Sequence, residues 1–135
     1  DNPVFYVHYA HARIQSLSQR ASAAGVVLSG KPDLTPLDTQ DLTLVKLAAQ
    51  FPRVVEAAAS AREPHRIAFF LADLAAAFHA AWNAGIDDPG RRFIRADNAP
   101  ISRARLFLAG AIGQVFRNGL ALIGVEPVQH MPRTP

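Results

Sequence analysis

A chain of 135 residues that is 50% hydrophobic and 19% charged can bury one domain's worth of core, so a single globular unit is expected over residues 1–135. With no cysteine, disulfides, thiolate zinc sites and thiol catalysis are excluded together, and a cytoplasmic, metal-independent fold is the default. The net charge is only +3, but 12 of the 14 basic residues are Arg, and Arg91, Arg92, Arg95, Arg103 and Arg105 fall in one segment. Forked guanidinium groups pair with phosphate oxygens or stack on bases, so this bias tilts toward a nucleic-acid partner, although high-GC codon usage enriches Arg as well.

The opening residues carry no initiator Met, no charged segment ahead of an apolar run and no small-residue cleavage site, so residue 1 reads as a cut at a domain boundary in something larger. Asn2 can cap and Pro3 can open a first helix. There Val4, Val7, Ala10, Ile14, Leu17 and Ala21 recur at helical spacing until Gly25 stops it. A linker with Gly30, Pro32 and Pro36 follows, and then Asp38 or Thr39 caps a short second helix. Pro52 opens a third helix that ends near Glu63, and Pro64 opens the fourth. The fourth carries Ile67, Phe70, Leu71, Leu74, Ala75, Phe78 and Trp82 on one broad face, with Gly85 as its terminator. Its longest apolar stretch, Ile67 to Phe78, contains Asp73 and is shorter than the roughly 18 residues of a membrane span.

Asp87-Asp88-Pro89-Gly90 predicts a turn, and Asp97-Asn98 can cap a fifth helix that Pro100 opens. Leu106, Ala109, Ile112, Gly113, Val115, Phe116, Leu120 and Ile123 keep its apolar period up to Gly124. Gly110 and Gly113 are small enough for close helix approach. The last residues, with three Pro, are expected to run extended. Val26-Val27-Leu28 is too brief to form a sheet of its own, so the fold class is all-α, a bundle of about five helices with an extended C-terminal tail.

Catalytic chemistry has little to build on. His8 and His11 are three apart and His65 opens helix four, but no HExxH or paired Glu-x-x-His accompanies them, and neither GxSxG nor a Gly-rich phosphate loop is present. His11 is expected to bond a neighbouring helix and His65 to sit in the first turn of its own. Binding chemistry fares better, because Tyr6 and Ala10, and Phe78 and Trp82, are each four apart and share a helix face. Rings so placed suit base stacking, and they equally suit a core.

The string NPVFYVHYAHAR resembles the segment that opens the C-terminal domain of arginyl-tRNA synthetases, usually seen as NPVYYVQYAHAR. Three further blocks follow in the same order: EPHRIAFFLADLAAAFHAAWNAG, SRARLFLAGAIGQVF and RNGLALIGVEP with a later Met. The resemblance covers nearly all of the chain apart from residues 26–38. It implies an α-helical bundle, named for an Asp-Ala-Leu-Arg signature, that binds the anticodon stem-loop of tRNA(Arg). It further implies that Tyr6, Ala10, Phe78, Trp82 and Met131 line the anticodon pocket. Arg13, Arg105, Arg117 and Asn118 fall in matched blocks as contacts to the tRNA backbone or as helix-packing anchors.

The whole enzyme so implied joins arginine to tRNA using ATP and magnesium, but the HIGH-like and KMSKS-like signatures are absent from these residues, so this piece has no catalytic residues and no cofactor of its own. Its implied partners are the tRNA and its own catalytic domain, with no membrane and no DNA. Three departures stand out: His8 replaces Gln, Phe78 stands where Tyr is common, and the Ile86 to Pro100 loop is longer than in many relatives. The alternatives are the similar domain of the bacterial glycyl-tRNA synthetase β subunit, without the YAHAR opening, a helical protein-docking module, and a His-based hydrolase.

Overall fold

The computed structural model describes residues 3–126, so Asn2 and the expected tail contact Met131 lie outside the described residues. Five α-helices are present: α1 (Pro3–Ala23), α2 (Thr39–Ala48), α3 (Phe51–Ala61), α4 (His65–Asp87) and α5 (Ala99–Leu122), with a 3₁₀ turn at Pro89–Arg91. No strand occurs among the described residues. The long helices α1, α4 and α5 pack on one another, α3 lies against α4, and α2 against α4 and α5.

The apolar faces read from the sequence are the ones that form the core. Val7, Ala10, Ile14, Leu17 and Ala21 of α1 meet Leu71, Leu74, Ala75 and Phe78 of α4 and Ala109, Ile112, Phe116 and Leu120 of α5. By length and composition α4 could cross a membrane. In this fold its apolar side is the centre of the bundle. Close approach is set by small residues, though not all those expected. A Cβ on Gly119 would lie 2.7 Å from the Leu71 side chain and one on Gly113 3.2 Å from Ile14, whereas Gly110 faces open space.

Helix ends follow side-chain chemistry. Asp38 caps α2 in a reciprocal box: its Oδ1 accepts from the Asp41 N–H at 2.9 Å, and its own N–H donates to Asp41 Oδ2 at 3.1 Å. Asn98 accepts from the Ile101 N–H at 3.2 Å to start α5. Gly25 and Gly124, at φ 77° and 78°, turn the chain out of α1 and α5. Gly85 does not end α4. It is buried inside the last turn, where a Cβ would stand 3.1 Å from the Arg92 Cα, and the Arg92 Nε donates to its carbonyl at 2.8 Å. The glycine is there so that the following loop can lie on the helix.

That loop is fastened from the other side by Arg105 on α5, whose side chain is 3% exposed. Its Nε donates to Asp41 Oδ2 at 3.1 Å, its Nη1 to the carbonyls of Gly90 and Arg92 at 2.8 and 2.9 Å, and its Nη2 reaches Asp38 Oδ2 at 3.4 Å. Arg91 pairs with Asp38 and, at 3.6 Å, with Asp41. Ser102 Oγ accepts from the Arg95 N–H at 2.7 Å, and Arg95 holds Asp97 at 2.9 Å. Most of the Arg cluster is therefore engaged within the protein.

Desolvation works to raise the Asp38 carboxyl, but the bond from the Asp41 N–H and the pairing with Arg91 and Arg105 outweigh it and push the group down to about 2 from 3.8. The folded value lies below the unfolded one, so this stabilisation is complete above about pH 4 and fades as the pH falls toward 2. Asp38→Asn should melt at a lower temperature than the parent at pH 7 and lose less of its remaining stability between pH 4 and 2. Thermal melts across that range check this, and parallel pH profiles would contradict it.

Candidate nucleic-acid interface

Seven-residue spacing puts Tyr6, Arg13 and Arg20 on one stripe of α1, successive members about 10 Å apart along the axis at 1.5 Å per residue. The stripe faces the C-terminal half of α4 and borders two adjoining clefts. The first, about 440 Å³, is lined by Phe5, Tyr6, Tyr9 and Arg13 of α1 and by Ala76, His79 and Asn83 of α4. The second, about 430 Å³, is lined by Leu17, Arg20, Ala24, Trp82, Gly85 and Ile86 with Arg92, Phe93 and Ile94 of the loop. Among the described residues no carboxylate lines either one.

Rings floor the first cleft in edge-on and tilted pairs. Phe5 lies 6.0 Å from Tyr6 and 5.7 Å from Tyr9, and Tyr9 lies 6.3 Å from His79. Tyr6 is 51% exposed and Phe5 40%, which is high for side chains of that size on a folded domain. His79 is held below its ordinary pKa first by burial and then by the Arg13 charge, against a hydrogen bond to the Tyr6 backbone that raises it. It is neutral at pH 7, and its Nδ1 accepts from Arg13 Nη1 at 3.1 Å. The guanidinium so held lies 5.0 Å from the centre of the Trp82 ring, and that of Arg20 lies 5.6 Å from it. Arg13 thus lines the first cleft and lies over the Trp82 ring that lines the second. Phe93 stacks on Trp82 at 6.2 Å and 29°.

The residues singled out from the sequence divide into exposed and sealed groups. Tyr6 rims the first cleft, and the half-buried Trp82 walls the second. Ala10 and Phe78 are both 0% exposed, so as placed here neither offers a surface to a base. Phe78 packs on Phe93 at 5.4 Å and is a core residue beneath the clefts. The side chain of Arg105 is the buried clamp described above, a packing anchor. Arg117 is likewise an anchor, with Nη1 3.2 Å from His11 Nε2 on α1 and Nη2 donating to Gln114 at 3.0 Å. Asn118 is exposed and accepts from Gln114 at 2.8 Å. His11 bonds a neighbouring helix as expected, and His65 sits in the first turn of α4 beside Glu63 at 3.2 Å. Among the described residues no group of three or more His, Asp and Glu side chains could hold a metal.

The sequence reading singled out Arg92 only as one of the Arg cluster, and it did not single out Tyr9, Arg20, His79 or Phe93 as site residues. The heptad spacing of Arg20 from Arg13 was a usable signal. The loop residues had none, since their place depends on Gly85 and Arg105.

Comparison with known families matches residues 7–131 to the DALR anticodon binding domain. The chain belongs to this family. Relatives include arginine–tRNA ligases of Novosphingobium aromaticivorans, 59% identical over 132 residues, and Parvibaculum lavamentivorans, 52% identical over 137; each match covers 97% of this chain. Among solved structures, Thermus thermophilus arginyl-tRNA synthetase superposes over 93% of the chain with a TM-score of 0.79 at 30% identity. The chain spans 22% and 24% of the two ligases and 21% of the Thermus chain. These relatives carry the arginine name and not that of the glycyl alternative.

Within this DALR domain the division between sealed and open rings has a measurable consequence. Phe78→Ala should cost about 3–5 kcal/mol of stability, whereas Tyr6→Ala should stay within about 0.5 kcal/mol of the parent. Urea unfolding separates the two, and equal losses would count against this assignment.

Proposed function

We propose that this domain binds the anticodon stem-loop of tRNA(Arg) through the face built by α1 and the C-terminal half of α4, as part of an arginine–tRNA ligase. In that ligase another domain of the same protein joins arginine to tRNA using ATP and magnesium, and no residue described here is assigned to that step. The observation that carries the reading is the company the open rings keep. Phe5, Tyr6 and Tyr9 lie beside Arg13, with no acidic group in the lining among the described residues, on a domain whose family is named for anticodon binding.

The mechanism follows from two separable forces. Arg13 attracts the phosphate backbone without reading sequence, while unpaired loop bases stack on the exposed rings and present their edges to polar groups such as Asn83 and the Tyr6 hydroxyl. Neutral His79 holds Arg13 in place, so the guanidinium need not be ordered when RNA arrives. Cytoplasmic location belongs to the same proposal, as the compartment where tRNA is charged.

Titrating a labelled arginine-tRNA anticodon stem-loop tests the reading and its docking-module rival together. Affinity should fall as salt rises, with a log–log slope of about −0.7 per single-strand phosphate contacted. Tyr6→Ala should bind about tenfold more weakly with an unchanged melting temperature. Absence of binding, or affinity indifferent to both salt and Tyr6, would contradict the proposal.

A further inference from the structure

We infer that His79 is a positioning residue that makes RNA binding on this face pH-dependent, because it holds Arg13 through a ring nitrogen that a proton would take; this rests on the RNA-binding reading above. An Arg side chain has only donors and stays charged, so the 3.1 Å contact from Arg13 Nη1 requires His79 Nδ1 to be a bare acceptor. The ring proton then lies on Nε2, and the ring's own hydrogen bond goes to the Tyr6 backbone. One imidazole on α4 is thereby tied to two points of α1 and touches no base itself.

The cleft around His79 is built by α1 and α4. From α1 it is faced by Arg13, Tyr6 and Tyr9, and from α4 by the Phe78 ring and the Asn83 amide. Among the described residues no carboxylate lines it. A carboxylate in the place of His79 would orient Arg13 equally well and cancel the charge that RNA needs. A neutral imidazole orients the guanidinium and leaves that charge whole. Burial holds Arg13 below its ordinary pKa, Tyr9 acting against it and Arg20 with it, as befits a cation without a counter-ion. His79 is itself lowered, first by burial and then by the Arg13 charge, so it takes up a second ring proton only as the pH falls below the ordinary value of 6.5. That proton goes to Nδ1, where it sets donor against donor and cation against cation. Arg13 then leaves the ring, and the ordered phosphate contact is lost with it. Binding is therefore full at pH 7 and fades as the pH falls through the lowered value.

The test titrates a labelled arginine-tRNA anticodon stem-loop into the parent, His79→Asn and His79→Leu between about pH 7.5 and 5, and follows Trp82 emission in the free proteins. Asn keeps an acceptor oxygen at the place of Nδ1 and does not titrate, and Leu has nearly the same shape without the acceptor. At the upper end Asn should bind within about twofold of the parent and Leu about tenfold more weakly. On acidification the parent should weaken by about tenfold, while both variants hold their affinities. Trp82 is the only tryptophan and lies under the Arg13 guanidinium, so the free parent's emission should titrate in step and that of the Asn variant should stay constant. The Asp38 carboxyl, pushed down to about 2, stays ionised throughout, so the loop clamp is unaffected. If Leu matches the parent, if Asn is as weak as Leu, or if the parent's affinity does not change with pH, while Tyr6→Ala still weakens binding, the positioning role is overturned and the RNA reading stands. Tighter binding at low pH in the parent alone would make charged His79 a phosphate ligand, and would overturn it as well. If the parent binds no stem-loop at any pH, both fall.

Discussion

A single buried cation organises the end of the bundle on which the interface depends. Taking the Arg105 guanidinium out of water is costly unless its donors are met. Here all three nitrogens are engaged, by Asp41, by Asp38 and by the carbonyls of Gly90 and Arg92. The same group therefore joins α5 to α2 and pins the loop after α4. Its aspartates are also the capping pair of α2, so helix initiation and loop closure share the same carboxylates. With the loop pinned, Phe93 comes to rest on Phe78 and Trp82, and the second cleft acquires its wall.

A second constraint lies in the packing of α1 on α4. Ala10 and Ala75 are fully buried and small, which lets the two helices come close. Closeness seals Phe78 in the core and leaves the next row of side chains, Phe5, Tyr6, Tyr9 and His79, at the surface. A polar relay then runs along the seam: His79 holds Arg13, and Arg13 lies over Trp82. On the proposed reading, stability and recognition draw on adjacent stripes of the same two helices. The sealed stripe supplies the folding energy, while the open one carries rings and cations whose burial has been deferred.

The helices were legible because their signals are local: Pro near the starts of α1, α3 and α5, the Asp38 and Asn98 caps, Gly25 and Gly124 beyond the ends, and an apolar period of 3.6 throughout. What was illegible was depth. Phe78 and Trp82 share a face by spacing, yet one is sealed and the other half-open, because Phe93 arrives from a loop whose path no local pattern encodes. Gly85 looked like a stop for the same reason: its role is to admit Arg92, seven residues on. The Arg cluster looked like a phosphate-binding patch, and Arg91, Arg95 and Arg105 proved to have aspartate partners, which left Arg92 at the cleft and Arg103 exposed on α5. Resemblance selected the family, and geometry decided which of the side chains it pointed to lie open at the surface.

The central claim is that RNA meets this domain on the α1/α4 seam and nowhere else among the described helices. An isotope-labelled chain titrated with the arginine-tRNA anticodon stem-loop would map that contact directly by NMR. The account predicts shifts concentrated at Phe5, Tyr6, Tyr9, Arg13, Arg20, Trp82 and Arg92. Shifts centred instead on α2 and α3, around Leu42, Arg53 and the exposed Phe69 of α4, would contradict it.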